Sequence, residues 1–190
     1  MLDKTSFRKS VLTFLLPIAI QNLINVAISS TDVIMLGRYS EVALSASSLA
    51  SQIQFILILL FFGIGSGATV LTAQYWGKKD TKTIEKILAI GIKIAFGLSL
   101  FFFIFAFFFS RNAMSLFTND ETTILEGIKY LKIVSFSYLT TSISIVYLVT
   151  MRSVERVGVS TVAYATSFVS NLIINYLLIY GNFGFPEMGV

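Results

Sequence analysis

The sequence predicts an all-α membrane protein, on three observations. Hydrophobic residues make up 55% of the 190-residue chain and charged residues only 13%, with a mean hydropathy of +0.82. A soluble domain of this size needs far more polar surface. The apolar residues gather into five stretches, each long enough to cross about 30 Å of hydrocarbon at about 1.5 Å per residue. The basic residues alternate from one side of these stretches to the other, so the net charge of +4 reflects membrane topology and not a nucleic-acid partner.

The chain has no cysteine and no histidine. Thiol chemistry, disulfides, histidine general bases and the usual zinc ligands are therefore excluded, and no enzyme is expected. Function must rest on carboxylates, amides, hydroxyls or bound ions.

Segment one spans residues 11–36. It is too long for the core of a signal peptide and lacks a small-residue cleavage site. Pro17 lies about six residues in, past the first turn, where it deletes a backbone hydrogen bond and is expected to bend the helix. A later helix start would make it an early-turn residue instead. Gln21, Asn22, Asn25, Ser29 and Asp32 follow. The steps of three, four and three from Asn22 to Asp32 put these four on one helical face, and such a stripe is expected to face a bundle interior or a watery cavity. A carboxylate at the bilayer centre costs from about 3 kcal/mol upward, so Asp32 is a functional candidate by default. The plainer reading places it among the outer headgroups.

Segment two, residues 45–75, carries Gln52 and is interrupted by Gly63, Gly65 and Gly67, which mark a bend or a close helix contact. Segment three, residues 87–109, ends in a phenylalanine-rich run from 101 to 109, expected to contact lipid. In the connection 110–126, the spacing of Ala113, Leu116 and Phe117 predicts a short interfacial helix. Segment four, residues 127–151, holds Ser135, Ser137, Tyr138, Thr140, Thr141, Ser142 and Ser144. These are too many for one face, so some must bond back to their own helix. Tyr138, with Gln52, is a weak cavity-lining candidate, as are Asn25 and Ser29.

Segment five, residues 157–181, carries Ser167, Asn171 and Asn175 at four-residue steps, with Tyr164 nearly on the same face. Counted from the outer helix ends, Asp32 and Asn175 lie at the same depth, roughly 8–9 Å in. If segments one and five are neighbours, one carboxylate and two amide oxygens converge. Na⁺ favours such hard oxygen ligands. A proton uses the same site if Asp32 is poorly solvated. The competing reading of the asparagines is hydrogen bonding between helices. No other metal site and no cofactor is expected.

Lys4, Arg8, Lys9, Lys78, Lys79, Lys82, Lys86, Lys93, Arg152 and Arg156 fall on one side, against Arg38, Arg111, Lys129 and Lys132 on the other. The positive-inside rule then places the N-terminus in the cytoplasm. The turn-rich residues 184–190 are expected to begin a further connection, making the chain the first part of a longer transporter-like protein and residues 1–190 a single truncated membrane domain.

Four sequence pieces in this order resemble the N-terminal half of the multidrug and toxic compound extrusion (MATE) family of cation-coupled efflux transporters. Pro17 precedes Asp32 by fifteen residues, in a stretch continuing as STDVIMLGRYSEVALSASSLA. GIGSGATVLTAQYWGKKD closes segment two, MRSVERVGVS precedes segment five, and NLIINYLLIYGNFGFPEMGV follows. The resemblance implies a twelve-helix fold of two six-helix lobes, of which this chain supplies five helices of the first. It also implies a coupling-cation site in which Asp32 matches the family's first-helix aspartate and Asn171 and Asn175 match the polar pair of the fifth helix. Some members carry an aspartate second in that pair. With an asparagine there, coupling to Na⁺ or to H⁺ both stay open.

The leading expectation is an antiporter exporting amphipathic or cationic compounds across the cytoplasmic membrane, with small-molecule substrates, membrane lipids and the missing second lobe as partners. The alternatives are a flippase for lipid-linked oligosaccharide, which would want basic residues mid-span, and a membrane scaffold whose polar stripes only bind other helices. The basic bias gives the first testable consequence. A single cysteine introduced by Lys82→Cys should resist a membrane-impermeant thiol reagent in intact cells and react after permeabilisation. Labelling in intact cells would reverse the topology.

Overall fold

The computed structural model describes residues 4–178, with side chains from Leu15 onward apart from position 39. Its elements are α1 (Lys4–Tyr39), α2 (Glu41–Gly77), α3 (Thr81–Phe108), α4 (Ser110–Ser115), α5 (Glu121–Ser153) and α6 (Val157–Leu178). Among the described residues, five helices are long and apolar enough to cross a membrane, all but α4. The expected end of segment five at Gly181 and the connection 184–190 lie outside the described residues.

The spans start earlier than the apolar stretches. Segments predicted from 11, 45, 87 and 127 begin as helices at Lys4, Glu41, Thr81 and Glu121. For three of them the reason is a capping side chain, since an N-cap oxygen satisfies orphan N–H groups of a first turn that need not be apolar. Ser40 Oγ accepts from Ala43 N–H at 3.3 Å. Asp80 Oδ1 accepts from Thr83 N–H at 3.1 Å, and Asp120 Oδ2 from Thr123 N–H at 2.9 Å. The far end of α2 closes differently. Lys79 takes φ 58°, its N–H donates to Trp76 C=O, and Asp80 N–H donates to Tyr75 C=O, both at 3.0 Å. This is a Schellman closure with lysine in the left-handed position usually held by glycine; Gly77 stays inside the helix.

The chain divides into two compact units, α2–α5 in one and α1 as far as Met35 with α6 in the other. In the first, α2, α3 and α5 pack against one another in every pair, and α4 lies against α5. Ala43, Ala46, Ala50, Ile53, Leu57, Phe61, Gly65 and Ala68 form the buried face of α2, at the three- and four-residue steps of a helix stripe. Small residues let the helices approach closely, as packing within lipid requires. A Cβ on Gly65 would sit 3.4 Å from Val149 Cγ1, and one on Gly91 only 3.1 Å from Val146 Cγ1. Gly63 and Gly67 face open space, so of the three glycines only Gly65 marks a helix contact.

Most α5 hydroxyls satisfy themselves. Ser135, Ser142 and Thr150, all buried, donate to the carbonyls of Lys132, Leu139 and Val146 at 3.1, 2.7 and 2.9 Å, as the crowding of hydroxyls predicts. The phenylalanine run divides. Phe101, Phe108 and Phe109 are exposed, but Phe103 and Phe107 pack against Phe136 of α5 with ring centroids 5.0 and 5.6 Å apart. A run read only as lipid contact therefore also fastens α3 to α5. The predicted interfacial helix is α4. Ala113 is buried while Leu116 and Phe117, just beyond its end, are exposed.

In the second unit, Gln21 pairs with Thr161, and Asp32 with Asn171 and Asn175. The sequence separations of 140, 139 and 143 are nearly constant. Two helices joined at a constant separation run parallel, so α1 and α6 cross the membrane in the same direction. The odd-numbered spans one and five of an alternating topology must do the same.

Two consequences are measurable. The hydroxyls of Thr122 and Thr123, with the Thr123 N–H, hold the Asp120 carboxyl down to about 2 from 3.8. A depressed carboxyl stabilises the fold above its unfolded value, and that contribution drains away as pH falls through the folded one. Amide exchange at Thr123, corrected for intrinsic rates, should stay protected above about pH 4 and lose protection towards pH 2. Asp120→Ala should be unprotected at every pH. In the other unit, a double-mutant cycle of Gln21→Ala and Thr161→Ala should give a coupling of about 0.6 kcal/mol, the average for hydrogen bonds between membrane helices, and at most about 1.7. Additive effects would show that the pair does not hold α1 to α6.

Candidate functional site: a carboxylate held by two amides

Asp32 lies seven residues before the end of α1 at Tyr39, about 10 Å along the helix. Its Oδ1 accepts Nδ2–H of Asn175 at 2.5 Å and Nδ2–H of Asn171 at 3.3 Å. Asn175 Nδ2 also reaches Asn171 Oδ1 at 3.4 Å. The three side chains form a closed triangle, all of them half-buried. The local reason is the helical repeat: Asn171 and Asn175 sit one turn apart on α6, so both amides reach one carboxylate on the parallel neighbour. The equal depth of Asp32 and the asparagines, read from the apolar boundaries, is thus matched by direct contact.

The triangle is fit for a small hard cation or a proton. Two amide N–H groups converge on one carboxylate oxygen. Rotation of each amide about Cβ–Cγ exchanges its nitrogen for its oxygen, which turns the same three residues into one carboxylate and two carbonyl ligands. Among the described residues, no three His, Cys, Asp or Glu side chains gather as metal ligands.

The remaining candidates disperse. Asn25 and Ser29 are exposed on α1, within about 60° of Asp32 around the helix, and extend a polar line from the triangle. Pro17 is well inside α1, so its missing N–H leaves the Thr13 carbonyl without its helical donor, and the early-turn alternative is excluded. Gln52 lies in the other unit, on the exposed side of α2, with Ser51, Gln54, Phe55 and Ile58 around a shallow depression. Tyr138, expected on a cavity wall, is a core residue instead. It is fully buried among Leu57, Phe61, Leu131 and Val146, because it falls on the stripe Leu131, Ser135, Tyr138, Ser142 that α5 buries. Its Oη has no partner among the described residues.

Gln21 is the feature that segment-by-segment reading undervalues. It is nearly fully buried, at 1% exposure, and donates from Nε2 to Thr161 Oγ1 at 2.7 Å. The signal is present in the spacing: Gln21 precedes Asp32 by eleven residues, and Thr161 precedes Asn171 by ten. Two polar pairs on two helices at matched intervals mark a parallel register.

The MatE family model matches residues 17–177. A probable multidrug resistance protein NorM of Rhizobium meliloti is 29% identical over 189 residues, covering 98% of this chain and 39% of the relative. A second NorM, from Agrobacterium fabrum, is 26% identical over 182 residues, 96% of this chain and 39% of the relative. The probable multidrug resistance protein YoeA of Bacillus subtilis is 24% identical over 189 residues, 99% of this chain and 41% of its own length. No solved structure gives a significant match. The chain spans about two fifths of the length of these relatives. With five spanning helices and a family match that begins at Pro17 and takes in Asp32, Asn171 and Asn175, the chain is a multi-pass membrane protein that belongs to the MatE family.

Proposed function

We propose that the chain is the first lobe of a cation-coupled antiporter that exports amphipathic or cationic compounds from the cytoplasm, with its N-terminus inside. The observation that carries this reading is the Asp32–Asn171–Asn175 triangle. Family membership and the multidrug resistance names of the relatives support the transport class.

The mechanism follows from what the triangle can exchange. With Asp32 ionised, two amide N–H groups offset its charge. An arriving Na⁺ takes the place of those donors, and the amides turn their oxygens towards it. An arriving proton does the same job: the neutral carboxyl then donates to an amide oxygen. Either way the bonding between α1 and α6 changes with ion occupancy. An ion drives transport only through a site whose affinity differs between the two facing states, and a site shared by two helices is able to register such a difference. No covalent step is involved, and the coupling ion is cargo, not cofactor.

Asp32→Asn keeps the size and removes the charge. In dye efflux from energised vesicles at matched expression, the complete transporter carrying it should lose ion-driven efflux while inserting normally. Asn175→Ala should raise the ion concentration for half-maximal transport about tenfold, the equivalent of about 1.4 kcal/mol. Asn171→Ala should raise it less, because its bond to Asp32 is the longer one. Efflux by Asp32→Asn at the native rate, with an unchanged dependence on the ion gradient, would overturn the assignment.

A further inference from the structure

Helix α3 carries a column of lysines that the triangle does not use. At about 100° per residue, Lys82, Lys86 and Lys93 fall within about 40° of one another. All three are exposed. The buried residues of α3, Ile84, Gly91, Ala95, Ser99 and Ala106, lie on the opposite side of the helix, so the column points away from the α2–α5 core. None of the three lysines forms an ion pair; the salt bridges among the described residues are Arg111–Glu121 and Lys129–Glu126. The acidic neighbours are Asp80, whose carboxylate is engaged by Thr83 and feels the Lys86 charge, and Glu85, about 60° off the column.

The same line continues as Leu100 and Ile104, 41% and 44% exposed. Along one face, α3 therefore reads as three cations and then apolar surface. The column spans eleven residues, about 16 Å, so Lys93 starts well inside the apolar stretch. Helical side chains lean towards the N-terminus, which on α3 is the Lys82 end. The Lys93 ammonium accordingly rises along its own stem towards the other two, in the manner of a snorkelling lysine.

We propose that this face binds an anionic phospholipid of the leaflet at the Lys82 end, its phosphate held by Lys82, Lys86 and Lys93 and its acyl chains laid along Leu100 and Ile104. The match is of charge and of length together. Three unpaired ammonium groups at the edge of the hydrocarbon need an anion, and an anion carrying its own hydrocarbon lies where the apolar line begins. Lysines near a membrane surface attract anionic lipid by about 1 kcal/mol each, and the two nearby carboxylates offset part of that.

The test uses the full chain in phosphatidylcholine nanodiscs. Trp76 is the only tryptophan, so Trp76→Phe with Leu100→Trp puts one reporter on the apolar end of the line. Its fluorescence is quenched with trace phosphatidylglycerol or phosphatidylcholine brominated in the acyl chains. The expected result is about fivefold tighter association of the anionic lipid, in keeping with about 1 kcal/mol net. Adding Lys82→Gln, Lys86→Gln and Lys93→Gln should bring the two lipids level, and Lys93→Gln alone should remove about half of the preference, with helicity by circular dichroism unchanged. Lys129→Gln with Lys132→Gln, at the other membrane face, should leave it intact. Equal quenching by both lipids with the lysines in place, or a preference that survives the triple substitution or vanishes with the Lys129 and Lys132 changes, would overturn the proposal.

Discussion

A polar group inside a membrane has no water to turn to, and the arrangement of this chain follows from that shortage. Backbone groups meet it by forming helices that run the full width of the hydrocarbon. Side chains meet it in three ways, according to what they carry. The hydroxyls of Ser135, Ser142 and Thr150 bond to their own helix and then pack as small residues. The amide of Gln21 reaches Thr161 on a neighbour. The Asp32 carboxylate needs more than one donor and gathers two asparagines. The progression from hydroxyl to amide to carboxylate is one of rising desolvation cost, and it tracks the shift from bonds within a helix to bonds between helices.

That rule separates the two units chemically. In α2–α5 the interior is held by shape: alanines and glycines on α2 and α3, aromatic pairs between α3 and α5, and self-satisfied hydroxyls. Lipid supplies little hydrophobic drive for helices to associate, so close packing and its dispersion contacts must do the work. Between α1 and α6 the visible fastenings are polar. A packed interface changes little with the charge state of any one residue. A polar fastening that includes a carboxylate changes with every ion or proton it takes up.

Hydropathy and the helical repeat were enough to find five spans, the short helix after the third, and the matching depths of Asp32 and Asn175. Both signals come from the cost of placing polar atoms in hydrocarbon, which is large and therefore written plainly into the sequence. The helix starts were harder to read. Caps such as Ser40, Asp80 and Asp120 act in water or at the interface, where a polar first turn costs little and hydropathy carries no mark of it. Tyr138 was misread because a tyrosine hydroxyl looks polar in a list of residues, while its ring behaves as a large apolar group once its position falls on the buried stripe of α5. The phenylalanine run hid its contact with Phe136 for a related reason: composition gives no direction around the helix, and only some of its members face α5. The role of Gln21 was legible only by comparing two helices at once.

The near-constant separation of the polar pairs also limits how α1 and α6 can move against each other. A slip of one helical turn shifts the partner of every α1 residue by about four positions. Gln21 would leave Thr161 and face Ala165, which has no side-chain acceptor. Asp32 would leave Asn171 and keep Asn175 alone of the two amides. Such a slip would cost the amide its Thr161 acceptor and the carboxylate one of its two amide donors. A small tilt or rotation that opens the triangle at one end while Gln21 keeps Thr161 at the other breaks fewer bonds. The two polar pairs lie about three turns apart on α1, so a tilt about the Gln21 end falls mainly on the bonds at Asp32.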